Sequence, residues 1–264
     1  MWQLIHLTLL SVLRDRVFHA VFGAGALLVL LVPVFSSFSM RQVQESSVGL
    51  SLSASSLILF VLSVHLGSSL IFRDVDKRYT HSVLSLPISR TKYLVSRYVG
   101  LILFLALCAL LLAVCSLAVI FVCEGMYPSG RTLNWSVLFV AMFANFYKFA
   151  ILTSIAVFFS SLSSSLTFPI FCTLAVYFAG SASQEVYEYL LGNFGESYSA
   201  LLLNISKFAY YALPNFTAFD FHIQAIYGLP LDIYAVLGSF LYGSLYAAFV
   251  VWCAVWFFSR RELP

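Results

Sequence analysis

The chain has 264 residues, of which 61% are hydrophobic, 17% are aromatic and only 9% are charged. This composition lies far outside the range of ordinary soluble domains and places the chain in a lipid bilayer. The formal net charge of +3 does not indicate a nucleic-acid partner, because the basic residues are divided between the two sides of the predicted membrane domain.

Residues 1–15 predict a short amphipathic helix ahead of the first membrane span. Its polar and apolar side chains separate on a helical wheel, which is typical of a helix lying in the membrane interface. The alternative is an N-terminal extension of the first span, and the charged break at residues 14–16 weighs against it. The polar arc contains Gln3, Thr8, Ser11, Arg14 and Asp15, with His6 at its edge, and the apolar side contains Trp2, Ile5, Leu9 and Leu13.

Six continuously apolar runs are about long enough to cross the roughly 30 Å hydrocarbon core as helices, which takes about 20 residues each. They lack the strict alternation of membrane β-strands. The sequence therefore predicts an all-α integral membrane protein that forms a single transmembrane domain over residues 1–264. The predicted spans are residues 17–38, 50–72, 98–123, 133–159, 166–182 and 233–258.

The loop at residues 74–92, between the second and third spans, has an unusually dense group of charges for this chain. Mixed signs predict a recognition surface there, since topological anchoring needs only positive charge. The pattern predicts a polar helix from about 74 to 84, a break at Pro87, and Ser89 as N-cap of the third span. Such a rigid elbow could transmit force from a partner into two spans. For Arg90, Lys92 and Arg97 alone, an ordinary positive-inside anchor remains the alternative.

Three polar residues within the spans are candidates to line a pathway: His65, Asn145 and Lys148. Asn145 and Lys148 are three residues apart and share a helical face. A lysine inside a span is costly and usually faces protein or water. The alternative is that Lys148 snorkels to an interface. His65 is predicted to pack or to line a cavity and not to bind a metal.

No pattern for catalysis or metal binding is visible. The chain has no HExxH, GxSxG or GxxxxGK[ST] motif. Its five cysteines fall in the predicted spans without a CxxC pair or a Cys/His cluster. We therefore expect no catalytic residues, metal or cofactor in this chain, which shifts the interpretation from an enzyme to transport or scaffolding.

Residues 183–232 are too long for a simple connection between spans. Their apolar residues predict short helices, with breaks at Gly192, Gly195 and Pro214. Orientation follows from the basic residues, because short cytoplasmic flanks are enriched in lysine and arginine. With the N-terminus inside, ten of the 14 lysines and arginines are cytoplasmic, which predicts both termini in the cytoplasm. These ten are Arg14, Arg16, Arg73, Lys77, Arg78, Arg90, Lys92, Arg97, Arg260 and Arg261.

Taken together, four features resemble the membrane subunits of ABC exporters of the type-2 permease family, over nearly the whole chain. They are the N-terminal helix, the loop sequence Leu86-Pro87-Ile88-Ser89-Arg90, the segment at residues 211–220 and the ending at residues 257–262. The resemblance implies six spans, an N-terminal elbow helix, and short re-entrant or outer helices before the last span. It also implies two paired permeases, as a homodimer or pseudo-dimer, and a separate ATP-binding subunit that holds ATP and Mg²⁺.

On this resemblance the chain couples ATP hydrolysis in its partner to export across a membrane, most simply the bacterial inner membrane, in contact with lipid. The loop would hold the coupling helix, and the second and fifth spans would meet the other permease, where the serines at 161 and 163–165 allow close packing. The rival functions are an ion-coupled secondary transporter and a non-transporting scaffold for an ATPase. The predicted contacts with the ATP-binding subunit are Asp74, Asp76, Lys77, Arg78, Tyr79 and Ser82.

Overall fold

A computed structural model of the chain describes residues 2–39, 42–76, 89–126, 133–163, 165–191 and 200–260. All regular secondary structure in these ranges is helical. The helices are α1 (Trp2–Leu13), α2 (Arg16–Ser37), α3 (Val43–Asp76), α4 (Arg90–Met126), α5 (Trp135–Leu162), α6 (Thr167–Leu191), α7 (Ala200–Ala212), a 3-10 turn (Thr217–Phe219), α8 (His222–Tyr227) and α9 (Ile233–Arg260).

Five of the described helices, α2, α3, α4, α5 and α9, are long and apolar enough to cross a membrane. The predicted fifth span coincides with α6, which has 25 residues. Its C-terminal part contains Gln184, Glu185 and Glu188, so α6 is less apolar and is not among the five. The protein is an all-helical, multi-pass integral membrane protein.

Two spans extend beyond the apolar runs that predicted them. Helix α3 begins at Val43 and continues to Asp76, so the separate helix predicted to start near Asp74 is wrong at its start. The rest of that prediction lies outside the described residues. Helix α4 begins at Arg90, and the Ser89 hydroxyl accepts the backbone N–H of Lys92 at 3.3 Å, which confirms the predicted N-cap.

Helices α3 and α5 form the centre of the domain and meet through small residues. A Cβ placed on Gly67 would lie 2.5 Å from the Cβ of Ala156, so these helices approach as closely as glycine permits. Ser160 also donates its hydroxyl to the backbone carbonyl of Ser68 at 2.8 Å. The other long helices pack around this pair.

Helix α1 places part of its polar arc against protein instead of water. Thr8 is buried, and a Cβ on Gly100 of α4 would lie 2.7 Å from the Thr8 Cβ. Trp2 and Leu7 remain exposed. The helix itself is where the sequence predicted it, but burial does not follow the wheel, since Thr8 of the polar arc is buried and Trp2 and Leu13 of the apolar side are exposed. The position of α1 in the membrane interface stays a prediction.

Residues 213–221 connect α7 to α8 through an irregular segment packed between α6 and α9. A Cβ on Gly180 would lie 2.4 Å from the Pro214 carbonyl oxygen, and the Phe219 ring packs against Gly243. Side chains form hydrogen bonds with this irregular backbone: the side-chain Oδ1 of Asn215 accepts the backbone N–H of Thr217 at 3.1 Å. Irregular backbone is tolerated in a membrane domain only where protein surrounds it in this way.

Candidate functional site

A buried arginine joins three helices, α1, α3 and α4. Arg97, in the second turn of α4, has 2% of its surface exposed. Its Nη2 lies 2.7 Å from Oδ2 of Asp74 near the end of α3, and its Nη1 donates to the Thr8 hydroxyl of α1 at 3.1 Å. Tyr93, one turn earlier, donates its hydroxyl to Asp74 and places its ring 5.6 Å from the Arg97 Cζ. Charge-assisted bonds of this kind are strong, so α1, α3 and α4 are held together where the loop 74–92 leaves and returns.

A second ion pair lies beside the first. Asp15 is the N-cap of α2, where it accepts the N–H of Val17 at 3.0 Å, and it pairs with Arg73. His65 Nε2 lies 3.5 Å from the same carboxylate oxygen. Burial raises the pKa of Asp15, but hydrogen bonds from Arg73 and Val17 and the Arg73 charge outweigh burial and hold the pKa below its ordinary value. We call Thr8, Asp15, His65, Arg73, Asp74, Tyr93 and Arg97 the Arg97 cluster.

A cavity of about 340 Å³ borders the Arg97 cluster between α1, α3 and α4. Its volume is enough for several water molecules. The ion pairs therefore face open space on one side instead of packed side chains. The lining residues are Leu7, Ser11, Val12, Asp15, Leu66, Ser69, Leu70, Arg73, Asp74 and Arg97.

The structure gives one of the predicted ATPase contacts an internal role. Asp74 has 13% of its side chain exposed and faces Arg97. Asp76 lies at the end of α3. Lys77, Arg78, Tyr79 and Ser82 lie outside the described residues. Contact of the predicted residues with an ATP-binding subunit therefore stays a prediction. The ion pair with Arg97 explains the charge of Asp74 without such a subunit.

The three predicted pathway residues fall into two separate places. His65 joins the Arg97 cluster, whereas Asn145 and Lys148 lie together on α5, with Asn145 only 4% exposed. Lys148 is 13 residues from the start of α5 at Trp135 (148 minus 135), roughly 20 Å along the helix at 1.5 Å per residue. Its Nζ lies 5.6 Å and 5.9 Å from the ring centroids of Tyr177 and Phe149. The ammonium thus stays among aromatic rings halfway along the helix, which disfavours snorkelling to an interface.

The segment after the 3-10 turn brings an acid and a histidine towards Lys148. Asp220 accepts the backbone N–H of His222 at 3.2 Å, and its Oδ1 lies 3.7 Å from the His222 Nδ1. Burial lowers the pKa of His222; the Asp220 charge raises it in part, and the Lys148 charge lowers it again. We call Asn145, Lys148, Tyr177, Asp220 and His222 the Lys148 cluster.

Sequence reasoning missed most of both clusters. It left Arg97 open between an anchor and part of the charged surface, used Asp15 and Arg73 only for the polar arc and the orientation, and assigned no role to Tyr93. One signal was present: opposite charges, Asp74 and Arg97, stand at the facing ends of consecutive spans. Asp220 and His222 had no comparable signal, because only the folding of residues 213–221 into the domain brings them near Lys148.

A family model described as an ABC-2 family transporter protein matches residues 12–180, which is more than half of the chain. The chain belongs to the ABC-2 transporter family. No curated protein sequence matches it significantly.

The match covers most of the Arg97 cluster and the α5 and α6 residues of the Lys148 cluster, Asn145, Lys148 and Tyr177. As an ABC-2 membrane protein, the chain is a transport subunit and not a catalytic one, and family membership implies association with an ATP-binding subunit. The match ends at Gly180, before the segment that contributes Asp220 and His222 to the ABC-2 permease.

Proposed function

We propose that this ABC-2 protein is the membrane-spanning permease of an ATP-driven exporter, with the ATPase on a separate chain and a second permease as its partner. In this arrangement α6 is the fifth of six spans, and α1 is an elbow helix in the inner interface. Both termini are cytoplasmic, and a bacterial cytoplasmic membrane is the expected location. Residues 213–227, including α8, form the re-entrant part on the outer side.

The observation that supports this proposal best is the Arg97 cluster at the root of the loop 74–92. Asp74 lies near the end of α3 and Arg97 lies in the second turn of α4, on either side of the residues that connect the two helices. Force applied to the loop therefore enters α3 and α4 through helix ends that are already fixed to one another and to α1. A permease pushed by a separate ATPase needs such a rigid connection, since a flexible one would dissipate the movement.

Asn145 and Lys148 are the proposed pathway residues. Polar and charged groups inside a membrane domain are costly, so those that are present usually mark a pathway or a binding site. His65 has a different proposed role, because its contact with Asp15 places it in the Arg97 cluster, where it would respond to movement of the loop.

A capture experiment tests the coupling assignment. The tagged chain is purified from membranes of its own host, and the ATP hydrolysis that co-purifies with it is measured. Replacing Asp76 and Lys77 together by alanine should reduce the captured activity by about tenfold or more, since interface hot spots contribute about 2 kcal/mol or more. Asp74 is left intact, because its loss would also disturb Arg97.

Glu185 and Lys207, both exposed, provide a control pair with the same loss of one negative and one positive charge. Their replacement by alanine should leave the captured activity unchanged. Unchanged capture by the Asp76 and Lys77 variant would contradict the coupling assignment. Among the rivals, an ion-coupled transporter predicts no captured ATPase at all, and a scaffold predicts ATP hydrolysis that no substrate stimulates.

A further inference from the structure

Lys148 carries a positive charge that no carboxylate among the described residues approaches within 4 Å. Asn145 lies one turn earlier on the same face of α5. It is 4% exposed, and its amide makes no hydrogen bond to the residues that the structure describes. Asn145, which is buried, and Lys148, which is half-buried, thus lie together with polar hydrogens that have no acceptor among the described residues.

Aromatic rings lie beside the Lys148 ammonium, and an apolar groove lies further along the same helix. The Lys148 ammonium faces the rings of Tyr177 and Phe149. Ile155 and Phe159, on the same face of α5 and roughly 10 to 16 Å further along, line a groove of about 210 Å³ with residues of α6 and α9. The other lining residues are Phe158, Val176, Leu213, Tyr246, Phe249, Val250 and Cys253.

We propose that Lys148 and Asn145 bind the anionic group, a carboxylate or a phosphate, of an amphipathic substrate whose apolar part occupies this groove. The proposal rests on the proposed transport function and names its substrate class. An ammonium donates strong charge-assisted hydrogen bonds to such oxygens, and the amide of Asn145 adds neutral donors. An uncharged head group would leave the lysine without compensation in a medium where that is costly.

Asp220 opposes the binding of an anion. Its carboxylate, 44% exposed, accepts the backbone N–H of His222, and the charges of Asp220 and Lys148 act in opposite directions on the pKa of the His222 ring. The site therefore combines attraction from Lys148 with repulsion from Asp220, as a transport site must release its ligand. Removing the Asp220 charge should tighten binding, whereas removing the Lys148 charge should weaken it.

Binding to the purified chain in dodecyl maltoside tests the proposal by calorimetry with three probes: dodecyl phosphate, dodecanoate and the uncharged dodecanol. Lys148→Met should lower the affinity for both anions by about tenfold or more, because one charge-assisted hydrogen bond is lost. The affinity for dodecanol should not change. Lys148→Arg should retain affinity, and Asp220→Asn should increase it. Lys207→Met removes an exposed lysine and should have no effect. If Lys148→Met lowers the affinity for only one of the two anions, the site is assigned to the anionic group of that probe.

Stability separates binding from a structural role for the lysine. The unliganded Lys148→Met variant should melt no lower than the wild type, because a buried charge without an ion-pair partner is replaced by an apolar chain of similar length. Wild-type affinity of Lys148→Met for both anions would overturn the proposal. If that variant does not fold, Lys148→Gln provides the same comparison. The assay needs no ATPase, so its failure is distinct from failure of the coupling assignment.

Discussion

Arg97 is a large cation with almost no exposed surface, yet its surroundings compensate its charge. Asp74 supplies the opposite charge, Thr8 accepts a hydrogen bond, and Tyr93 contributes both its hydroxyl and its ring. Removing one partner of such a buried pair is much more costly than the pair itself is worth, because the remaining charge is left without its counter-charge.

Arg97→Met should therefore destabilise the protein by about 3 to 5 kcal/mol, as expected when a buried ion pair loses one partner. Thermal unfolding in detergent, followed by circular dichroism, provides the measurement. Arg14→Met serves as the control, since Arg14 is exposed, and should change stability by no more than about 0.5 kcal/mol.

A double variant tests whether loss of the Asp74–Arg97 ion pair causes the destabilisation by Arg97→Met. Asp74→Asn combined with Arg97→Met should recover part of the loss, with a coupling of about 1 kcal/mol or more, as for residues in direct contact. Simple additivity of the two substitutions would show that the ion pair does not hold the three helices together.

At the level of helices, the contact between α3 and α5 depends on the absence of a side chain at Gly67. A methyl group there would lie 2.5 Å from the Ala156 Cβ and 3.3 Å from the Thr153 carbonyl. Neither atom can move without moving its helix. Gly23 on α2 is the natural comparison, because nothing lies within 4 Å of the position that its Cβ would occupy.

Gly67→Ala should lower stability by about 1 to 3 kcal/mol, the usual effect of overpacking a well-packed contact. Gly23→Ala should be neutral or slightly stabilising, since alanine is the better helix former. The melting temperatures of the two variants, measured under identical detergent conditions, test this difference in stability. Equal effects would mean that α3 and α5 do not approach closely at Gly67.

The sequence predicted the helical elements well and their ends less well. Apolar runs located each long helix, because the bilayer requires about 20 apolar residues for a crossing. They could not show that α3 starts at Val43, and the start of α4 at Arg90 was predicted by the Ser89 N-cap and not by the apolar run. The extra turns of both helices contain polar residues, which hydropathy does not assign to a span, and those of α4 are stabilised by Ser89 capping and by the contact of Arg97 with Asp74.

The candidate sites could be predicted only in part. Lys148 and Asn145 were found because polar residues inside a span are rare and share a face. The Arg97 cluster required knowing which helix ends face one another, and α1, α3 and α4 meet through residues as distant in the chain as Thr8 and Arg97. Pairings over such separations are set by tertiary packing and leave no periodic pattern in the sequence.

For the whole molecule, the proposed six-span topology depends on α6 crossing the membrane. Ser165 precedes α6 and Lys207 follows it, and both are exposed. In a background without native cysteines, Lys207→Cys should react with an impermeant thiol reagent in intact cells. Ser165→Cys should react only after the cells are permeabilised, because the proposed topology places it at the cytoplasmic end of α6.

Labelling of both cysteines from the same side would show that α6 enters and leaves at one surface and would reduce the count to five spans. A fluorescent protein fused after Pro264 gives an independent check, since it should fluoresce only if the C-terminus is cytoplasmic, as the basic residues predict.

The length of α4 has a mechanical consequence. With 37 residues it extends roughly 55 Å, and Arg97 lies only about 10 Å from the end that receives the loop, at 1.5 Å per residue. If the helix tilts about this fixed point as a rigid rod, it is a lever with unequal arms. A push of about 1 Å at the short arm would then sweep the distal end through roughly four times that distance, enough for a small stroke at one membrane surface to open a gap at the other.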